Sequence, residues 1–128
     1  MTHSLQQFMA AHKALREGVA TKEEWGTVTV AVMISMAIER LGYVVGMREH
    51  LASAHQALQN LFDRATDQGA RPWVATAMEY YELDTLQTFS DLHQLQFRRL
   101  QRHQVVHVMA VVRDEIARMA EASEGVAA

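Results

Sequence analysis

The stretch TVTVAVMISMAIERLGYVVGM, Thr27 to Met47, decides the fold. No charged side chain occurs between Glu24 and Glu39, and from Val28 to Ile38 only Thr29 and Ser35 interrupt the apolar residues. Such a run suits a membrane, a buried strand, the centre of a small helical domain, or a surface that another subunit covers. A membrane span needs about 20 predominantly apolar residues, and Glu39-Arg40 ends this run well short of that. Gly42 to Gly46 has the GxxxG spacing of close-packed membrane helices, but it follows the charged pair. Val28, Thr29, Val30, Val32 and Ile34 would each suit a strand. The residues upstream decide against one. Thr21-Lys22-Glu23-Glu24 has capping-box form, with the Thr21 hydroxyl placed for the Glu24 amide and the Glu24 carboxylate for the Thr21 amide. The run is read as a helix from Thr21 to about Leu41, with Gly42 as its stop. A helix that is apolar all round is a buried helix.

The rest of the chain reads as helices around it. Ser4-x-x-Gln7 has capping form, and Leu5, Phe8, His12 and Leu15 recur at helical spacing until Gly18 offers a left-handed cap. A third stripe runs Val44, Met47, Leu51, Ala54, His55, Leu58, Leu61, Phe62 and Ala65. TDQGARPW, Thr66 to Trp73, is the clear loop, with Pro72 set for the first turn of the next helix. From Trp73 to about Ala120 there is no glycine or proline. One unbroken helix of that length would reach roughly 70 Å, several times the size of a small domain, so a break is expected between Phe97 and Gln104. VVHVMAVV, Val105 to Val112, is the second nearly all-apolar stretch and the natural partner of the helix that begins at Thr21. The expected architecture is all-α: a single domain of four to five helices, a helical bundle over residues 1–120 with a frayed tail at 121–128. Two such apolar segments exceed what one small bundle easily hides, so a homodimer is expected to cover part of them.

Composition narrows the function. With 128 residues, 49% of them hydrophobic and 21% charged, the chain has the make-up of one globular domain. A formal charge of −3 gives no long-range attraction to phosphate backbones. Cysteine is absent, which excludes disulfides, thiolate metal sites and a cysteine nucleophile. The first residues lack the pattern of a secretory signal, and a cytoplasmic location is the default. No nucleophile elbow, phosphate-binding glycine loop or dinucleotide fingerprint occurs, so no enzyme activity and no cofactor are expected.

Four groups of side chains are candidates for function. EYYELD, Glu79 to Asp84, gathers acids and tyrosines near Trp73. Its acids are expected on a solvated helix face, and its aromatics can anchor a partner with rigid contact area. Trp73, Glu79, Tyr80, Tyr81 and Glu82 are therefore the expected partner-binding residues. FRRLQRH, Phe97 to His103, is the one basic cluster; Arg98, Arg99 and Arg102 would contact phosphates in an alternative reading as a DNA-associated regulator, although no recognition-helix motif frames them. A solvated, salt-bridged face is the plainer reading. His103 and His107 lie one helical turn apart, a chelating spacing without the further ligands that a metal site needs. His12, His55 and His93 each fall on an apolar stripe and could converge as a metal or proton site. Among the eight methionines, Met33 and Met36 are read as core.

EGVATKEEW at residues 17–25, LGY, the HQAL helix, a loop with Arg71 and Trp73, and DLHQLQ follow one another over about Leu15 to Val112. In this order the chain resembles short, uncharacterised all-helical proteins of bacterial plasmids, phages and integrative elements. The resemblance implies context and no activity: small accessory proteins of mobile elements often bind and block host proteins, including defence complexes. The expectation is a non-enzymatic interaction protein acting on a host protein or complex, rather than on nucleic acid or a membrane.

Overall fold

A computed structural model describes residues 4–127, and the side chains of residues 4–124. Among the described residues the fold is all-helical, with five helices: α1 Leu5–Glu17, α2 Lys22–Arg40, α3 Arg48–Ala65, α4 Tyr80–Arg99 and α5 Arg102–Ala127. The first two begin and end as their caps dictate. The Ser4 hydroxyl accepts the Gln7 N–H at 3.0 Å, and α1 ends on Gly18 at φ 73°, a left-handed conformation that glycine adopts without strain. At α2 the Thr21 hydroxyl accepts the Glu24 N–H at 3.1 Å and the Glu24 carboxylate accepts the Thr21 N–H at 3.0 Å.

Helix α2 is the axis of the bundle. Helices α1, α3, α4 and α5 all pack on it, burying Val28, Ala31, Val32, Ile34, Ser35, Ala37 and Ile38. Met33 and Met36 are half-buried against the same core. The apolar run of Thr27 to Met47 is thus covered largely within one chain. Phe8 near the start of α1 meets Phe89 and His93, while Gly18 at its end lies against Ala77, so α1 runs antiparallel to α4. Helix α5 runs antiparallel to α2, because Tyr43 bonds to His107 and Arg40 pairs with Glu115. Among the described residues no helix is long and apolar enough to cross a membrane.

Two boundaries differ from the sequence reading. The third helix begins at Arg48 and not near Val44. Gly46 at φ 99° breaks the helical path, and the Glu39 carboxylate takes the Gly46 and Met47 N–H groups at 3.0 and 3.2 Å. Val44 and Met47 are buried from this turn, so they keep their core role outside the helix. Pro72 opens no helix either. Residues 72–79 have no regular structure, because tertiary bonds hold them: the Trp73 indole N–H donates to the Ala20 carbonyl at 3.0 Å and the Val74 N–H to the Ala65 carbonyl at 2.9 Å. The expected break falls at Leu100, which is extended at ψ 140°, and the Gln104 side chain accepts the Gln101 N–H at 2.8 Å to start α5. Helix α5 continues through Ala127, with Glu121 to Glu124 exposed, and position 128 of the expected tail lies outside the described residues.

Candidate partner-binding surface

The start of α4 is built around a buried charge. Glu82 has no exposed surface, yet both its carboxylate oxygens are engaged by Arg64 of α3, at 2.6 and 3.0 Å. A buried carboxylate is tolerable only when paired and hydrogen-bonded, and Glu82 gains a further donor, the Glu79 N–H at 2.7 Å. This last bond is one half of a capping box, so the ion pair also sets where α4 begins. The same Arg64 guanidinium donates to the Ala77 carbonyl at 3.1 Å, tying down the segment that leads into the helix. The pairing raises the Arg64 pKa, first through its hydrogen bond to Glu82, so the cation is permanent. Upstream, the Trp73 ring packs against Trp25 and Phe62, and the Trp25 indole N–H donates to the Leu58 carbonyl at 2.9 Å. The whole segment from Trp73 to Glu82 is thereby fastened to α3 and to the α1–α2 turn.

What this frame presents outward includes two tyrosines. Tyr80 is 82% exposed and Tyr81 57% exposed, and Val74 and Val19 are exposed as well. Val19 belongs to this end of the bundle because its neighbours Gly18 and Ala20 touch Ala77 and Trp73. Tyr81 is oriented by Asn60, whose amide donates to the phenol oxygen at 3.1 Å. A polar cleft of about 380 Å³ lies nearby at the end of α3, lined by Asp63, Arg64, Asp67, Gln68 and Arg71.

The five residues singled out in the sequence therefore separate. Glu79, Tyr80 and Tyr81 are exposed, Trp73 is half-buried, and Glu82 is buried completely. Glu82 does not lie on a solvated face: Arg64 draws it inward, and that partner is 18 residues away along the chain. Reading the sequence also missed Val19, Val74 and Arg64. The spacing Glu79-x-x-Glu82 was a usable signal, since a carboxylate three residues into a helix is placed to take the N–H at its start.

The other candidate groups do not assemble. Arg98, Arg99 and Arg102 are exposed and, among the described residues, make no ion pair, so they are not the salt-bridged face expected. His103 and His107 are exposed, and His107 Nδ1 is hydrogen-bonded to the Tyr43 hydroxyl at 2.7 Å. The three inward histidines do not converge, because His55 is exposed on α3. Its stripe position lies at the margin of the buried face, where Ala54, Ala57 and Leu58 take the core. His93 and His12 are both buried against the Phe8 ring but are bonded differently. His93 Nδ1 shares a 2.7 Å hydrogen bond with the Ser35 hydroxyl, whereas His12 stacks on Phe8 and its Nε2 has no partner among the described residues. Burial, aided by Arg16 and opposed by Asp91, lowers the His12 pKa. Among the described residues no three metal-binding side chains gather. No protein family, curated protein or solved structure matches the chain.

Proposed function

We propose that this chain is a non-enzymatic interaction module that docks a partner protein on Tyr80 and Tyr81, and that works as a homodimer. The observation that carries the reading is the exposure of Tyr80 and Tyr81 at a helix start held rigid by the buried Glu82–Arg64 pair. Tyrosines on a fixed backbone offer large amphipathic contact area and lose little entropy on binding. Glu79 and Asp84 add negative charge next to them, which suits a partner surface bearing basic residues. The resemblance to mobile-element proteins makes a host protein, including a defence complex, the proposed partner.

The test is capture from host lysate by the wild-type chain and by the Tyr80→Ala/Tyr81→Ala variant. Loss of an interface anchor typically costs 2 kcal/mol or more, about thirtyfold in affinity. The variant should lose the partner and keep its fold. A second reading rests on the exposed Arg98, Arg99 and Arg102, which make no ion pair among the described residues: a weak phosphate contact, which would fall steeply with salt where aromatic docking would not.

A further inference from the structure

The end of α2 and the start of α3 are joined by the turn at residues 41–47. Met36, Glu39 and Arg40 share one face of α2, and Arg48, Leu51 and Ala52 share one face of α3, each set spaced i, i+3, i+4. Between the two faces lies a cavity of about 220 Å³, lined by these six residues. Its apolar walls are the half-buried Met36, the buried Leu51 and Ala52, whose single methyl group leaves open the space that a longer side chain would fill. The charged groups around it are not equivalent. The Glu39 carboxylate is spent on the turn, one oxygen accepting the Gly46 N–H and the other the Met47 N–H. Arg40 holds Glu115 of α5. Arg48 is exposed and, among the described residues, makes no ion pair. The cavity thus joins apolar walls to one uncommitted guanidinium, and small-molecule sites combine such walls with a few polar groups that fix orientation.

We infer that this cavity binds a small apolar carboxylate, with its chain against Met36, Leu51 and Ala52 and its charged end on the Arg48 guanidinium. Charge selects the class. A cation would meet Arg40 and Arg48 while both Glu39 oxygens are already engaged, and an uncharged ligand would leave Arg48 unused. A carboxylate matches the guanidinium fork with two parallel hydrogen bonds. Volume sets the size: the cavity equals the space of roughly seven waters, which suits a chain of about six carbons. The site lies roughly 15 Å along α3 from Asn60, which orients Tyr81, so it is separate from the proposed docking surface and stands without it.

Titration of the full chain with hexanoate, followed through its backbone amide signals by NMR, tests the site. A ligand of this size should bind at about 1 mM and shift the amides of Arg48, Leu51 and Ala52 together. Butyrate, two methylenes shorter, should bind roughly tenfold more weakly. Hexanol has the same chain without the charge and should also lose about tenfold, and hexylammonium should not bind. Arg48→Met should weaken hexanoate about tenfold. Ala52→Phe fills the cavity from an exposed position, so it should abolish binding while its melting point stays near that of the wild type. Hexanoate shifts that persist unchanged in Ala52→Phe would place the binding elsewhere and overturn the inference. Hexanol binding as tightly as hexanoate would overturn the role of Arg48 and the carboxylate class with it. No shift at these amides up to about 10 mM hexanoate would overturn the site altogether.

Discussion

Replacing Arg64 by methionine keeps the apolar stem of the side chain and removes the guanidinium. It leaves the Glu82 carboxylate, with no exposed surface, held by the Glu79 N–H and by a long 3.5 Å contact from the Tyr81 hydroxyl. Breaking a buried ion pair by deleting one partner costs about 3–5 kcal/mol, because an uncompensated charge stays behind. The Arg64 side chain is 32% exposed, so water can reach part of the site and the low end, about 3 kcal/mol, applies. That is a large part of the 5–15 kcal/mol by which a domain is typically stable, and corresponds to a melting point lower by roughly 10 °C for a chain of this length. Glu82→Gln should cost less, about 1–2 kcal/mol, since its amide oxygen can still take the Glu79 N–H and Arg64 can turn outward. Arg64→Met combined with Glu82→Leu should recover most of the loss, because no buried charge remains. Urea melts followed by helical circular dichroism give these differences directly. An Arg64→Met loss under 1 kcal/mol would refute the reasoning, for it would mean that Glu82 does not bear a buried charge that needs Arg64.

Three further outcomes follow from the core and its caps. Thr21→Ala should cost about 1 kcal/mol in a urea melt and Thr21→Ser almost nothing, since only the hydroxyl is used; equal losses would remove the cap from the argument. Ile34→Glu should unfold the chain as judged by circular dichroism, because Ile34 is fully buried within a single chain; a folded variant of halved mass would instead place Ile34 at a subunit boundary. The lowered pKa of His12 means that the folded state prefers the neutral ring, so the unfolded chain binds the proton first. Stability should therefore be complete above about pH 6.5 and decline as the pH falls below it. His12→Phe should flatten that decline in melts taken from pH 7.5 to 5, and an unchanged slope would assign it to other groups.

Much of the fold was legible because local chemistry and tertiary packing agree. The capping box at Thr21, the cap at Gly18 and the length of the apolar run placed α1 and α2 from neighbouring residues alone. The break near Leu100 followed from the size of a domain. What escaped was non-local. Pro72 looked like a helix start, but the bonds from Trp73 to Ala20 and from Val74 to Ala65 hold that segment open. Glu82 looked solvated, and Arg64 on another helix draws it in. Of the two places open to an apolar helix, the middle of the domain is the one α2 takes, with four helices of its own chain packed on it. The tyrosines, which have no distant charge partner to pull them inward, stand exposed.

The central claim is that the aromatic start of α4 is a docking surface, and one comparison tests it most directly. Host lysate is passed over immobilised wild-type chain, Tyr80→Ala/Tyr81→Ala and Arg98→Ala/Arg99→Ala/Arg102→Ala, and the retained proteins are quantified by mass spectrometry beside the melting point of each variant. A partner held equally by the wild type and the arginine variant, and about thirtyfold less by the tyrosine variant with its melting point within a few degrees, is the predicted result. Undiminished capture by a folded tyrosine variant would contradict the account.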